Sequence, residues 1–454
     1  MSLGPLHSRI VAAPVVHDRV GAERVLGDLA RRCGEERELA PLGALLAPGS
    51  VRDLLAGIFG ASPYLTSLIE RDPARLLGML MQAPEAHFAQ LCREVEAGVA
   101  AAGSLPEAMR ALRVFKNAAA LLTALADLAG IWPVMTVTRR LSEEADAAVA
   151  AAVRFLFRQA ATKGEWLSSE PDGYIVLAMG KYGAFELNYS SDIDLIVFYD
   201  LARIRLRPGA EVQPFFVRLT RDLVRLLHER TGDGYVFRTD LRLRPDPGAT
   251  PLALSTEAAL NYYESFGQNW ERAAMIKARP VAGDLEAGKT VLGELAPFVW
   301  RKYLDFAAIA DIHAMKRQIH AFRGFGEIGV AGHNIKVGRG GIREVEFLIQ
   351  AMQLLYGGDD PWLRERNSLR AIFRLTERGY LSHALGRELG DALVYLRTVE
   401  HRLQLLHEFQ THTLPEEPRA LGLLARRMGV EFMTEGRNWT ATGSWFDREL
   451  TESL

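Results

Sequence analysis

Three aspartates carry the chemistry that this sequence suggests. Asp192 and Asp194 stand one residue apart at the start of the apolar run IDLIVFY, and Asp240 follows within YVFRTDLRLRP. Side chains two residues apart on a strand face the same side, so we expect Asp192 and Asp194 to project together, opposite to Ile193. Like charges ~4 Å apart repel by about 4 kcal/mol at an effective dielectric near 20. A divalent cation removes that repulsion, and carboxylates that share a site with a phosphate substrate suit Mg²⁺.

The residues around Asp240 add positive charge to this picture. If YVFRTDLRLRP is a strand that stops at Pro245, then Arg238, Asp240, Arg242 and Arg244 share one face. Arginines beside an acid are suited to neutralise the oxygens of a phosphate group. Two alternatives stay open on these residues alone: the aspartate pair as a solvated turn, and the arginine-rich face as a surface ion-pair ladder.

Two glycine-containing turns are candidate phosphate contacts, because such turns bring backbone N–H groups close to an anion. The turn GKYG (180–183) follows the apolar run YIVLAM, but it matches neither a Walker A loop nor G-x-G-x-x-G. The turn GRGG (338–341) precedes a predicted helix, and Lys336, Arg339 and Arg343 lie nearby. A helix N-terminus with basic neighbours favours anions, and a flexible loop with solvated basic residues is the alternative.

Five other residues deserve a prediction of their own. Lys277 and Arg279 in MIKARP are two residues apart and would line the same phosphate cleft, with a plain surface loop as the alternative. His401, His407 and His412 match no zinc spacing, so we expect them at the surface or the edge of the core.

These candidates need a scaffold, and the hydrophobic pattern predicts an α+β fold with three regions. Residues 1–165 carry alanine and leucine stripes at helical spacing. Residues 166–290 mix the short apolar runs YIVLAM and IDLIVFY, typical of buried strands, with the amphipathic helix pattern PFFVRLTRDLVRLLH. Residues 291–454 are helical again, interrupted by the glycine-rich candidate phosphate loop.

Composition excludes several classes of protein. The 454 residues carry a net charge of -2, which argues against a dedicated nucleic-acid binder. Cys33 and Cys92 build neither a disulfide framework nor a zinc cluster, which favours the cytoplasm. We expect no signal peptide and no membrane span, because the longest apolar run, from Ala118, contains Asp127 and Pro133.

Several longer segments, in this order, resemble the bacterial glutamine-synthetase adenylyltransferase/adenylyl-removing enzymes. They are GKYGAFELNYSSDIDLI, RTDLRLRPDPG, NYYESFGQNWERAAMIKARPVAGD, KVGRGGIREVEF and QTHTLP, within residues 60 to 430. ELNYSSDIDLI is similar to the N-terminal half of that family, which removes AMP from a tyrosine of glutamine synthetase by phosphorolysis and releases ADP. The C-terminal half attaches AMP from ATP. Residues 431–454 do not resemble the family, and we expect that the attaching half is not part of this chain.

The resemblance implies a polymerase-β-like nucleotidyltransferase domain over residues 166–290, with Asp192, Asp194 and Asp240 as catalytic residues and ligands of Mg²⁺. It implies glutamine synthetase as the protein substrate, phosphate and ADP or ATP as ligands, and the signalling protein PII as a further candidate partner. It implies neither a nucleic-acid partner nor association with a membrane. Lys181 stands where many members of the wider fold have serine. The predicted nucleotide- and phosphate-binding residues are Gly180, Lys181, Ser191, Arg242, Arg244, Lys277, Arg279, Arg339, Gly340, Gly341 and Arg343.

Two other functions remain open at this point. The first is another protein nucleotidyltransferase, such as a uridylyltransferase of a signalling protein, although no phosphohydrolase domain accompanies this sequence. The second is a non-catalytic regulator that binds glutamine synthetase or PII, against which the three carboxylates argue. Chemistry alone does not set the direction of the reaction, because phosphorolysis and adenylyl transfer share one triad.

Overall fold

The computed structural model describes residues 4–301, 330–406 and 408–428; His407 and the segment 431–454 lie outside these ranges. Before residue 165 the described chain forms helices and their connections. The α-helices there are Arg19–Glu35, Ala40–Leu45, Ser50–Phe59, Pro63–Arg71, Pro73–Leu80, Pro84–Ala101, Leu105–Leu128 and Val134–Thr162, with 3₁₀ turns at Leu6–Ser8 and Arg37–Leu39.

The segment SPYLTSLIERDPARLLGMLM, within the region 1–165 that is predicted to be helical, forms two helices. Leu65 in the first helix and Leu76 in the second are fully buried. Ser62 caps the first helix, and Asp72 caps the second with its carboxylate. Pro73 occupies the first turn of the second helix, where its missing N–H has no intrahelical partner to lose, so it begins a helix and does not kink one.

Five strands form one mixed sheet: β1 (Tyr174–Ala178), β2 (Ile193–Tyr199), β3 (Thr239–Asp240), β4 (Leu254–Ser255) and β5 (Arg279–Gly283). β1 pairs antiparallel with β2 on one side and with β5 on the other. β3 and β4 both run parallel to β2, β3 at its beginning and β4 at its end. The α+β class predicted from the sequence is confirmed.

The prediction that YVFRTDLRLRP forms a strand up to Pro245 is wrong, because β3 ends at Asp240. The Asp240 carboxylate accepts a hydrogen bond from the backbone N–H of Arg242 at 2.8 Å, which turns the chain. The Arg244 guanidinium then donates to the carbonyls of Leu241 and three later loop residues. Such local bonds from side chain to backbone compete with a strand ladder, so the four charged residues do not share a strand face.

Alternate side chains of β1 and β2 face opposite sides of the sheet and divide its hydrophobic core. Val176 and Leu195 face the N-terminal helices, whereas Leu177 and Ile196 face the helices between residues 256 and 299. A third core lies between residues 335 and 424. The remaining α-helices are Gly180–Gly183, Val212–His228, Thr256–Ser265, Asn269–Met275, Leu285–Glu294, Ala296–Val299, Ile342–Tyr356, Ser368–Glu377, His383–Gln404 and Pro418–Arg427, with a 3₁₀ turn at Pro361–Leu363.

No single helix in the described ranges is long and apolar enough to cross a membrane. One bent pair, Arg37–Leu45 with Ser50–Phe59, passes that test on length and composition only.

A buried ion pair ties the helix Leu105–Leu128 to the helix His383–Gln404. Asp127 accepts hydrogen bonds of 2.8 and 2.9 Å from the Arg402 guanidinium. Burial acts to raise the pKa of Asp127, but the charge and hydrogen bonds of Arg402 outweigh it and hold that pKa well below its usual range. His401 lies beside the pair and is fully buried, so its predicted place at the surface or core edge is wrong.

Replacing Arg402 by methionine should lower the free energy of unfolding by about 3 kcal/mol near neutral pH, because it leaves a buried carboxylate without its cation. Asp127 has a lowered pKa in the folded state, so its contribution is present above its unfolded pKa and is lost as the pH falls through the folded value. The difference in the free energy of unfolding between the wild type and the variant should therefore be smaller at acidic pH. Urea unfolding at two pH values measures it.

The matched control is Arg31→Met, which breaks the exposed pair of Arg31 with Asp28. Exposed pairs contribute little, so we expect a loss below ~1 kcal/mol there. Equal losses in the two variants would contradict the importance of the buried pair.

Candidate active site

Asp194 near the beginning of β2 and Asp240 at the end of the two-residue strand β3 stand side by side. β2 and β3 pair with Ile193 opposite Thr239 and with Asp194 opposite Asp240. Ile193 is fully buried in the core, whereas Asp192 and Asp194 on either side of it are only half-buried. Burial of one isoleucine therefore sets the register that brings the carboxylates to one edge of the sheet.

The three carboxylates have different electrostatic surroundings. Burial, followed by the charges of Asp240 and Asp192, raises the pKa of Asp194 to about 6. Hydrogen bonds from Arg242 hold the pKa of Asp240 below its usual value. Arg238 forms an ion pair with Asp192. In the part of the chain that the structure describes, no donor reaches the carboxylate of Asp194, so this group carries the uncompensated charge.

Asp192 is held by residues that are distant in sequence. Arg238 donates from Nε to its carboxylate, and Nη1 and Nη2 donate to the Tyr235 hydroxyl at 2.9 Å and the Ser190 carbonyl at 2.7 Å. Gln410 donates from Nε2 to Asp192 Oδ2 at 3.3 Å. The motif QTHTLP, which begins at Gln410, is thereby part of the site.

The residues GKYG form a single helical turn that packs against Asp194. Gly180 has a φ of 53°, and a Cβ there would lie 2.7 Å from Asp194 Oδ2. A Cβ on Gly183 would lie 2.0 Å from the Lys277 carbonyl oxygen. Both glycines are thus required by close packing against the protein itself. Between them, Lys181 donates to both carboxylate oxygens of Glu400, at 2.8 and 3.1 Å.

The glycine-rich loop before the helix Ile342–Tyr356 uses its backbone donors internally. Asn334 Oδ1 accepts from the N–H groups of Lys336 and Val337, and the Gly340 N–H donates to the Glu344 carboxylate. An acidic side chain of the protein thus lies where the sequence suggests an anion. A phosphate role for the loop remains a prediction, and it rests on side chains. The residues concerned are Arg339, Gly340, Gly341 and Arg343, of which the two arginines are exposed.

Three predicted phosphate ligands have protein partners of their own. The buried Lys277 has its Nζ 2.8 Å from Glu346 Oε1. Arg279 donates two hydrogen bonds, of 2.8 and 2.9 Å, to the carboxylate of Asp146. Arg244 is bonded to loop carbonyls, as described above. These contacts point to a supporting role for all three.

One further cation and one hydroxyl complete the inventory. The charge of Lys336 lowers the pKa of both Asp194 and Lys181, so the loop brings an ammonium close to the acids and the turn. The Ser191 hydroxyl donates to Asn188 Oδ1 within the loop before β2. The sequence predictions did not include Gln410 or Glu400 among the site residues. Gln410 lies inside a motif that carried the resemblance, which is the one signal that could have found it.

The donor set suits a divalent cation chemically. Three carboxylates supply hard oxygens. The pKa of Asp194, raised first by burial and then by the charges of Asp240 and Asp192, indicates an unfavourable negative charge that a cation would neutralise. Within the described ranges, however, no three acidic, histidine or cysteine side chains are gathered to hold a metal ion together. Arg238 and Arg242 engage Asp192 and Asp240 instead. The Arg242 side chain is 84% exposed, so it is free to turn away from Asp240.

Comparison with known proteins decides the family. The sequence model of the glutamate-ammonia ligase adenylyltransferases matches residues 53–294, just over half of the chain. The chain belongs to this family. A model of the PII-uridylyltransferases matches residues 313–448, including most of residues 431–454, the segment that does not resemble the adenylyltransferase/adenylyl-removing enzymes.

Relatives in several bacteria are similar to nearly the whole chain. A bifunctional glutamine synthetase adenylyltransferase/adenylyl-removing enzyme of Rhodopseudomonas palustris is 52% identical over 434 residues, which are 94% of this chain and 44% of that protein. Proteins of the same name in Bradyrhizobium diazoefficiens and Xanthobacter autotrophicus are 52% and 50% identical over 87% and 92% of this chain, and over 40% and 43% of their own length. The chain thus spans less than half the length of these members of the glutamate-ammonia ligase adenylyltransferase family.

Replacing Asp194 by asparagine should stabilise the protein at pH 8. The folded-state pKa of Asp194 is raised to about 6, so its carboxylate destabilises the fold progressively as the pH rises from its unfolded pKa through that value. A shift of this size corresponds to about 1–3 kcal/mol, and the gain should be smaller at pH 5. Urea unfolding in the absence of divalent cations measures both.

Asp240→Asn is the control, because Arg242 lowers the pKa of Asp240 and its carboxylate stabilises the fold. We expect no increase in the free energy of unfolding in that variant. A loss of stability in Asp194→Asn at both pH values would contradict the electrostatic account of the site.

Proposed function

We propose that this chain removes AMP from an adenylylated tyrosine of glutamine synthetase, with inorganic phosphate as the attacking group and ADP as the product. The observation that carries the proposal is the pairing of Asp194, near the beginning of β2, with Asp240, at the end of β3, beside Asp192. Membership of the glutamate-ammonia ligase adenylyltransferase family and the names of the relatives support the adenylyl chemistry. Residues 166–290 are the proposed nucleotidyltransferase domain, between helical regions 1–165 and 291–454.

The proposed reaction exchanges one phosphorus–oxygen bond for another. An oxygen of inorganic phosphate forms a bond to the phosphorus of the bound AMP, and the bond from that phosphorus to the tyrosine oxygen breaks. The tyrosine oxygen leaves with the electron pair and takes up a proton from solvent, since a phenol has a pKa near ~10. When bound, Mg²⁺ would neutralise charge on the entering and leaving oxygens.

The chain's own residues orient the groups around this reaction. Asp192, Asp194 and Asp240 are the proposed ligands of Mg²⁺, and Arg238 and Gln410 keep Asp192 in place. Arg242 is exposed beside Asp240. When the cation binds, the Arg242 guanidinium would leave the Asp240 carboxylate and pair with a phosphate oxygen instead. Lys336 adds positive charge near Asp194, and Lys181 adds it in the turn that packs against Asp194. The other predicted contacts stay part of this proposal, with Lys277, Arg279 and Arg244 in supporting roles.

A second candidate function is uridylyl transfer to the signalling protein PII. The match of residues 313–448 to PII-uridylyltransferases favours it, and it also supports PII as a proposed regulatory partner of the first function. The names of the relatives, at about half identity over most of the chain, favour adenylyl chemistry. Incubation with PII and UTP would separate the two, since the proposed function predicts no labelling of PII.

Replacing Asp192 or Asp194 by asparagine should slow phosphate-dependent loss of AMP from adenylylated glutamine synthetase by about 100-fold or more. Each change removes the negative charge of one proposed metal ligand. Residues of such sites typically stabilise the transition state by several kcal/mol. Chelation of Mg²⁺ should have the same effect on the wild-type protein. The measurement is the initial rate of AMP loss.

Asp233→Asn serves as the control, because Asp233 is an exposed carboxylate in the loop before β3. We expect its rate to equal that of the wild type. Unchanged rates in both Asp192→Asn and Asp194→Asn would overturn the assignment of the site.

A further inference from the structure

A network of buried charges joins the GKYG turn to the C-terminal helices. The network contains equal numbers of acids and bases, so its charges balance without any contribution from His412. Glu186 and Lys277 come from the sheet region, and Glu346 and Arg397 come from the helices Ile342–Tyr356 and His383–Gln404. The ion pairs of the network are Lys181–Glu400, Lys277–Glu186, Lys277–Glu346, Arg397–Glu186, Arg397–Glu346 and Arg397–Glu400.

Lys181 joins this network to the candidate active site. Its neighbour Gly180 packs against the Asp194 carboxylate, and its own ammonium lies 2.8 Å from Glu400 Oε1. Glu400 is fully buried and also faces Nδ1 of His412 at 2.9 Å. The partner of Lys181 is therefore fixed on a helix that lies more than 200 residues later in the chain.

Glu400 is the main group that keeps Lys181 charged. Burial lowers the pKa of Lys181 to about 8, and the charge of Glu400 is the largest influence that raises it. Arg397 and Lys336 lower this pKa further, and Glu346 raises it. A serine at this position would need no counter-ion, whereas a lysine in a desolvated turn needs a carboxylate close by.

We propose that Glu400 is a positioning residue for phosphate, which holds Lys181 charged in the turn whose Gly180 packs against Asp194, so that the sheet region has a complete phosphate site only while the helix His383–Gln404 is docked. The inference rests on the proposed function and goes beyond it, because it assigns to the C-terminal region a direct part in forming the site.

The test measures the affinity of the complete chain for ADP with Mg²⁺ by calorimetry at pH 6 and pH 8. In Glu400→Gln the pKa of Lys181 falls below its value of about 8. ADP should then bind on the order of tenfold more weakly at pH 8, where the wild-type lysine is half protonated, with a smaller loss at pH 6. Adding Lys181→Arg should restore binding at pH 8, because a guanidinium stays protonated there.

The control is Glu346→Gln, which removes another buried acid of the same network that pairs with Lys277 and Arg397. It should change the midpoint of thermal unfolding about as much as Glu400→Gln, with little pH-dependent change in ADP affinity. The arginine double variant, measured at the same pH values, tests whether the charge at position 181 causes the pH-dependent change in ADP affinity.

The outcomes separate this inference from the proposed function. Wild-type affinity for ADP in Glu400→Gln at pH 8, or a loss that is equal at both pH values and not restored by arginine, would overturn the positioning role of Glu400. Failure of the wild-type chain to bind ADP would overturn it as well. If the wild type binds ADP but removes no AMP from glutamine synthetase, the proposed function fails, and the pH-dependent affinities still decide the role of Glu400.

Discussion

Burial of carboxylates and their mutual repulsion, where β2 begins beside β3, form the constraint on which the rest of this structure depends. Parallel pairing puts Asp194 next to Asp240, and a buried Ile193 prevents the strand from shifting to separate them. Arginines compensate Asp240 and Asp192, and Asp194 keeps a raised pKa. A fold that retains such an unfavourable charge at one edge of its sheet is suited to a cationic ligand and a phosphate.

Buried ion pairs hold distant parts of the chain together. The C-terminal helices have a hydrophobic core of their own, and ion pairs connect them to the rest of the molecule. Arg402 pairs with Asp127 in the N-terminal helices, and Glu400 pairs with Lys181 in the turn beside the acids. Each pair is costly to break on one side only, because a buried charge would remain. This explains physically why short motifs, far apart in sequence, meet at one site.

Local patterns of the sequence predicted local structure well. The run IDLIVFY is β2 from its first residue to its last, and YIVLAM is β1 except for its final methionine. RTDLRLRP has the alternation of charged and apolar residues that is typical of a strand. Its arginines instead donate hydrogen bonds to a nearby aspartate and to loop carbonyls, so the chain turns. The glycine-rich loop looked like an anion site because the sequence does not reveal that Glu344 turns back to Gly340. Ion pairs between residues some 200 positions apart leave no local pattern at all, and the three domain boundaries remain predictions.

Transfer of isotope from phosphate into ADP tests the central claim most directly. The chain would be incubated with adenylylated glutamine synthetase, Mg²⁺ and ³²P-labelled inorganic phosphate, and the nucleotides would be separated. The account predicts that AMP leaves glutamine synthetase as ADP, with the label in its β-phosphate. Release of unlabelled AMP, or retention of AMP on glutamine synthetase, would contradict it.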